Sequence, residues 1–445
     1  MMTPQQAREL ARRVVELTPA DQAECLVAAE TSALTRFANN RINQNVAEED
    51  ALISVRAVVG RRVGVASTNR LDDASLRAAA QAAVAAARIS PEDPDFPGLP
   101  RPVPVATPER AFASTRSFDA EARARAAGAI IEQSAVHGLS AAGKVRAAEH
   151  VMAVANSLGV DVGMATTGAQ ATVLSAGHDG GSGWSSFLDA DAAQLAPDAL
   201  GNVAADLALR SANPGTLAAG EYRVVLGPEA VADILDFLAY VGFSAKAVDE
   251  GRSFMSGRTG ERLVSELISI ADDALAPHAM GTTFDFEGQP KLRVPLIERG
   301  VIGRPVTDSY WAAKLGVANT GHALPAPNTY GPMPANMELA AGNATIDELI
   351  GSVKSGVYVT RFNYVNVEDP VRVLLTGMTR DGTFAIENGK LGRPLKNLRF
   401  TQSAIDALAS CEGVTRERTF VGTEEGASYA PALLLGRFAF TGQTA

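Results

Sequence analysis

Apolar residues recur along this chain with two different periods. Near the N-terminus Ala7, Leu10, Ala11, Val14 and Val15 fall three and four apart, as one face of a helix requires. Thr3, Pro4 and Gln6 supply its start: a capping side chain, a proline whose missing N–H costs nothing in the first turn, and a glutamine three residues past the cap. Leu76, Ala79, Ala80, Ala83, Val84 and Ala87 repeat the spacing in a helix expected from about Asp72. Further helices are expected over residues 119–136, over 197–210, and from Pro228, where Val231, Ile234, Leu235 and Leu238 form the inward face. Alternation with period two marks strands at 35–45, 53–59, 62–66, 145–156, 160–175 and 222–226, with Gly60-Arg61 as a turn.

Beyond residue 280 the pattern changes. Glu287-Gly288, Arg299-Gly300, Asp381-Gly382 and Asn388-Gly389 stand between short alternating runs. Such dipeptides predict hairpins, because a type I′ turn needs positive φ at both central residues. One helix interrupts them, with Thr345 and Glu348 as a capping box, Leu349, Ile350 and Val353 facing inward and Gly356 closing it. Seven prolines between residues 90 and 108 exclude helix and central strand there and predict an extended connector. The pattern therefore divides into an α/β segment (1–89), a proline-rich linker (90–108), a second α+β segment (109–216) and a large, mostly antiparallel β-rich C-terminal domain (217–445). The fold class is α+β.

With 46% apolar and 20% charged residues the chain has the balance of a soluble globular protein. Forty basic against fifty acidic residues leave a net charge of −10 and no concentrated basic surface, which argues against nucleic acid as a partner. No run approaches the roughly 18 apolar residues of a membrane span, and Arg8, Glu9, Arg12, Arg13 and Glu16 break up any apolar leader. A cytoplasmic location is expected. Cys25 and Cys411 are too far apart to form a framework and read as two small buried hydrophobes.

Tests for chemistry are mostly negative. The five histidines, at 137, 150, 178, 278 and 322, contain no pair at the spacing of a helical zinc site. His178 and His322 lie in glycine-containing loops where side chains are expected to reach solvent. The glycine-rich loop around Ser182 lacks the G-x-S-x-G elbow, and no phosphate-binding loop is present. Glu261, Glu266, Asp272 and Asp273, with Glu368 and Asp369, read as solvated faces.

Seven stretches, in order, carry a resemblance. They are TRFANNRINQN (35–45), VANSLGV (154–160), GEYRVVLGPEAV (220–231), SFMSGRTGERLVSE (253–266), LGVANTGHA (315–323), SGVYVTRF (355–362) and FAIENGKLGRPLKNLRFT (384–401). Together they resemble the TldD/PmbA (TldE) family of metallopeptidase-related proteins, once described as modulators of DNA gyrase. The resemblance implies a paired system. One subunit, TldD, carries a His-Glu-x-x-x-His zinc motif on the helix after the strand at 222–226, and a cysteine near its C-terminus. The other, TldE or PmbA, carries neither, and the complex cleaves unfolded or linear peptides.

Here the motif positions fall near Asp236, Phe237 and Val241, and residues 420–428 (FVGTEEGAS) contain no cysteine. The resemblance thus implies the metal-free member, with no cofactor in this chain, zinc in a TldD-like partner, and a homodimer as the fallback when that partner is absent. His322, Arg361, Asn363, Tyr364 and Asn366, which match family stretches or adjoin them, are the candidates for lining a substrate chamber. Arg361 is expected to face the partner or the substrate, so that its loss would leave folding nearly intact. A stand-alone regulatory protein, acting on a topoisomerase or a toxin–antitoxin pair, is the alternative.

Overall fold

The computed structural model describes residues 2–422 and 426–443. Its first sheet has six antiparallel strands in the order β3-β2-β1-β4-β5-β6. These are β1 (Gln22–Ala38), β2 (Arg41–Val59), β3 (Arg62–Thr68), β4 (Ser140–Asn156), β5 (Asp161–Ala176) and β6 (Ser182–Asp189). β1 pairs with β4 without a slip from Glu24↔Asn156 to Phe37↔Gly143. Strands from before and after the proline-rich stretch therefore share one sheet, and the two N-terminal segments make a single layer. The tight turn from β1 to β2 is Asn39-Asn40, with φ of 51° and 59°, the left-handed pair that a type I′ turn needs.

One face of this sheet is covered by helices. α1 (Pro4–Glu16) and α2 (Asp73–Ile89) bury Ala7, Ala11, Leu76 and Ala83 against Val27 and Val55. The expected capping box of α1 is present, with Thr3 and Gln6 bonding each other's backbone. After a single turn, α3 (Ala113–Arg116), come α4 (Ala120–Ala135) and α5 (Pro197–Arg210), which pack Ile130 and Ala204 on Phe37, Val145 and Val173. The other face receives Phe284 of the C-terminal half, which packs with Leu26, Val154 and Met164.

The second sheet runs through β7 (Gly220–Leu226), β8 (Ile270–Asp272), β9 (Val294–Glu298), β10 (Val301–Ile302), β11 (Asn336–Leu339), β12 (Ser355–Asp369), β13 (Leu374–Glu387), β14 (Lys390–Pro394), β15 (Leu398–Ser403), β16 (Cys411–Gly422) and β17 (Ala427–Gln443). Five of these close on themselves: β7 pairs with β12 and β17, and β12, β13, β15 and β17 pair in succession. Phe362, Phe400 and Phe438 pack together within its core, with ring centroids 4.5 to 5.8 Å apart. The helix α6 (Pro228–Val241) buries Val231, Leu235 and Leu238 in that core. No helix among the described residues is long and apolar enough to cross a membrane.

Arg299-Gly300 and Asn388-Gly389 turn between neighbouring strands as expected, with φ of 47° and 80°, and of 50° and 76°. Asp381-Gly382 does not. It lies inside β13, where pairing with β12 shifts between Val359 and Arg361, so the positive φ values serve a bulge and not a hairpin.

Both edge strands of the first sheet carry a glycine against helix backbone. A Cβ on Gly64 would stand 2.1 Å from the Ala87 amide nitrogen, and one on Gly183 would stand 2.1 Å from the Ala204 carbonyl oxygen. Replacing either by alanine should cost about 1–3 kcal/mol, since backbone cannot step aside as a side chain can. Gly128, inside α4 with open space around it, is the control. Gly128→Ala should stabilise by about 0.5–1 kcal/mol. Urea unfolding of the three variants checks both signs.

Candidate functional site

Between the second face of the first sheet and the C-terminal half lies a cavity of about 660 Å³. Ala28, Leu52, Met152 and Gly168 line it from the sheet, and Met280, Phe286, Leu324 and Met333 from the opposite side. That opposite side is irregular backbone, whose amides need partners when they are shielded from water. Two buried carboxylates provide them. Asp272, at the end of β8, accepts from the amides of Ala335 (2.8 Å) and Asn336 (2.7 Å), and its other oxygen lies 3.0 Å from His322 Nε2. Asp285 accepts from the amides of Glu287 and Gln289, both at 2.9 Å, and of Ala323 at 3.0 Å.

The two carboxyls titrate in opposite directions. Burial would raise Asp272, but His322 and the Asn336 amide outweigh it and hold the group below its ordinary value. Asp285 is pushed up to about 7 by burial and by the neighbouring Glu287, against the pull of its three amides. Lys291 also lines the cavity, and burial lowers its ammonium despite the fields of Asp272 and Asp285. None of these residues except His322 was singled out from sequence. Asp272 belongs to an acidic cluster that reads as solvated, yet it is fully buried. The available signal was Asp285 followed by Glu287-Gly288, an Asx-turn pattern whose side chain bonds the amide two residues on.

His322 is likewise not exposed in its loop. It is 2% accessible, with Nδ1 3.0 Å from Thr320 Oγ1, and its backbone carbonyl accepts from Met333. It braces the cavity wall from behind. Asn363, Tyr364 and Asn366 sit at a second irregularity of β12, where pairing with β13 skips from Asn363 to Asn366. Tyr364 has φ of 56° and is 80% exposed, so the bulge directs an aromatic ring into solvent. These three are not brought together with His322.

Arg361 has a different setting again. Its Nε donates to Asp381 Oδ2 at 2.9 Å, and its guanidinium lies 4.2 Å from the centroid of the Trp184 ring on β6. Ser182 Oγ, also on β6, donates to Asp381 Oδ1 at 2.7 Å. The bulge at Asp381-Gly382 thus aims a carboxylate at a cation that ties β12 to the first sheet. Farther along the same junction, Arg56 donates to Glu24 (2.8 Å) and Glu287 (3.0 Å), and Glu287 accepts from the Ser309 amide (3.2 Å).

On α6, Phe237 and Val241 pack against the hydrophobic core, and Asp236 is half-buried and engaged within the protein. Among the described residues no three His, Cys, Asp or Glu side chains converge as a metal's donors would. A phenylalanine and a valine offer no lone pairs, so the residues at these positions do not fit zinc.

Two predictions follow from the junction. Arg361→Ala leaves Asp381, only 1% exposed, with only the more distant Arg380 (3.9 Å) as a cation, and should cost about 3 kcal/mol rather than being silent. Combined with Asp381→Asn it should cost less than the sum of the single changes, as a double-mutant cycle would read. Asp308 caps the helix Ser309–Leu315 by accepting from the Trp311 amide at 2.8 Å, and burial holds its carboxyl at about 6 rather than 3.8. A carboxyl raised in the fold favours its protonated form, so stability is highest below pH 4 and falls as pH rises to about 6. The loss approaches about 3 kcal/mol at neutral pH. Asparagine keeps the capping oxygen without the charge. Asp308→Asn should therefore raise the melting temperature at pH 7–8 and leave it unchanged near pH 4.

Residues 219–442 match the PmbA/TldA metallopeptidase C-terminal domain, and residues 23–87 match the PmbA/TldA metallopeptidase domain 1. A metalloprotease TldD homolog of Haemophilus influenzae is 31% identical over 161 residues, which are 35% of this chain and 33% of that protein. A metalloprotease of Methanothermobacter thermautotrophicus is 25% identical over 219 residues, 48% of this chain and 47% of that one. The chain thus matches less than half the length of these relatives. In fold it is similar to TldE from Thermococcus kodakarensis, with a TM-score of 0.87, 19% identity, and coverage of 98% of this chain and 99% of that one. A Thermotoga maritima protein described as a candidate modulator of a DNA gyrase gives a TM-score of 0.88 at 18% identity, over 97% and 99% of the two chains. With its C-terminal half matched from β7 to the end of β17, the chain belongs to the TldD/PmbA family of metallopeptidase-related proteins.

Proposed function

We propose that this chain is the metal-free, TldE/PmbA-like subunit of a heteromeric zinc peptidase that cleaves unfolded or linear peptides. In this reading the zinc sits in a TldD-like partner. The observation that carries it is α6, where Phe237 and Val241, at the motif positions that the resemblance implies, are partly buried and pack against the core. A zinc peptidase works through a metal-activated water, and that water needs ligands which these side chains do not supply. What remains is a role in shaping and lining the substrate chamber. Tyr364, with Asn363 and Asn366 beside it on the exposed bulge, is the set that would face the partner or an extended peptide. His322 and Arg361 contribute by holding the chamber's walls.

The reading is tested by co-expression with a His-Glu-x-x-x-His paralogue from the same genome. The two chains should co-purify with zinc bound to the partner, and the pair should cleave casein-like unfolded substrates in a chelator-sensitive way. This chain alone should carry no stoichiometric zinc after dialysis and show no cleavage. One tightly held zinc per chain in its isolated form, or chelator-sensitive cleavage by it, overturns the proposal.

A further inference from the structure

The cavity between the two halves is walled mostly by apolar side chains, with Glu30, Asp50, His150 and Lys291 also in its lining. Lys291 lines it, and among the described residues its ammonium makes no hydrogen bond or ion pair. Of the carboxylates in the lining Glu30 pairs with Arg146, and the two whose fields reach Lys291 are occupied elsewhere: Asp272 by His322 and two amides, Asp285 by three amides. A second cation adjoins the same wall. Arg110, 9% exposed, spends its guanidinium on the carbonyls of Gly281 (3.1 Å) and Ala276 (3.3 Å) and has no carboxylate within ion-pair reach among the described residues. Gly281 itself lines the cavity.

A half-buried ammonium without a partner is costly and is relieved best by an anion that brings its own acceptors. The surrounding Met152, Leu188, Phe286, Leu324 and Met333 call for an apolar group attached to that anion. A volume of about 660 Å³ lies within the range of small-ligand sites. We infer that this cavity binds the carboxyl-terminal residue of a linear peptide, with Lys291 donating to the terminal carboxylate and the methionine- and leucine-rich walls taking an apolar side chain. The inference rests on the peptide reading above and deepens it. It assigns this chain the task of reading the substrate's C-terminus. Methionine-rich walls suit such a site, because unbranched thioether side chains adapt to different apolar shapes.

The test is binding to the purified full chain by calorimetry, so that it does not depend on a zinc partner. Three probes are used: a leucine-terminated hexapeptide with a free carboxylate, the same peptide as its C-terminal amide, and octanoate. The free acid should bind at least about tenfold more tightly than the amide, the scale of one lost charge-assisted bond. Lys291→Met should bring the acid down to the level of the amide while melting no lower than the wild type, since it removes a half-buried charge that has no hydrogen-bonded partner among the described residues. Equal binding of acid and amide overturns the inference, as does binding of octanoate but of neither peptide, or binding of none. Lys291→Gln guards against a misfolded variant: if both substitutions melt well below wild type, Lys291 is a structural partner of Asp272 and Asp285 and the inference falls. Any of these failures leaves the subunit reading standing, because co-purification with a zinc-bearing partner is measured separately.

Discussion

A carboxylate removed from water must find its hydrogen bonds inside the protein, and this structure is organised around that requirement. Asp272 gathers the amides at 335 and 336 and the imidazole of residue 322, and Asp285 gathers amides at 287, 289 and 323. Each draws in segments that are far apart in sequence and otherwise irregular. Arg56 does the same in reverse, taking a carboxylate from its own sheet and another from the C-terminal half. Such groups contribute little net stability when compared with apolar replacements, but removing one partner strands the other. They fix which surfaces meet. Across the junction itself Arg56 reaches Glu287 and Phe284 packs on Leu26, Val154 and Met164, and the cavity lies between the same two halves.

The helix α6 shows the opposite solution. In a metal-bearing helix the donor positions must project lone pairs toward a shared point, which sets them against burial in an apolar core. Here Phe237 and Val241 add apolar surface to a core that already holds Leu235, Leu238 and Phe243. The helix keeps its place in the architecture, following β7 across Gly227, and its inward side chains are given over to packing. In the proposed reading, family membership does not require metal donors here, because the helix is retained by its buried face.

Helices with a strong three-four spacing, such as α1 and α2, and turns written as Arg299-Gly300 or Asn388-Gly389 were legible in the sequence because local chemistry decides them. The assignment of zinc-motif positions to Asp236, Phe237 and Val241 comes only from the resemblance. Elsewhere the determinants are long-range. Asp381-Gly382 has the composition of a hairpin turn, but Arg361 and Ser182, 20 and 199 positions away, make it a bulge. Asp272 reads as one acid in a solvated run until Asn336 and His322 are placed beside it. Nor could the proline-rich stretch reveal that β1 and β4, on either side of it, pair from Glu24↔Asn156 to Phe37↔Gly143. Lys291 had no motif at all. What marks it is the lack of a hydrogen-bonded or ion-paired partner among the described residues, which no local pattern can show.

The closed ring of strands bears on how a cavity without a metal can still matter to chemistry. β17 starts at the cavity, where Ala427 lines it, and continues into pairing with β7, Leu433 opposite Leu226. β7 in turn leads directly into α6. Cavity and helix are therefore joined by two hydrogen-bonded strands in a packed core, with no hinge between them. Holding a reactant in fixed geometry is itself a large part of catalysis, and small displacements of a bound group are expensive in rate. In the proposed complex this chain need not supply a reacting group to be indispensable: a peptide gripped in its cavity is presented at a position that the barrel, through β17 and β7, does not allow to drift.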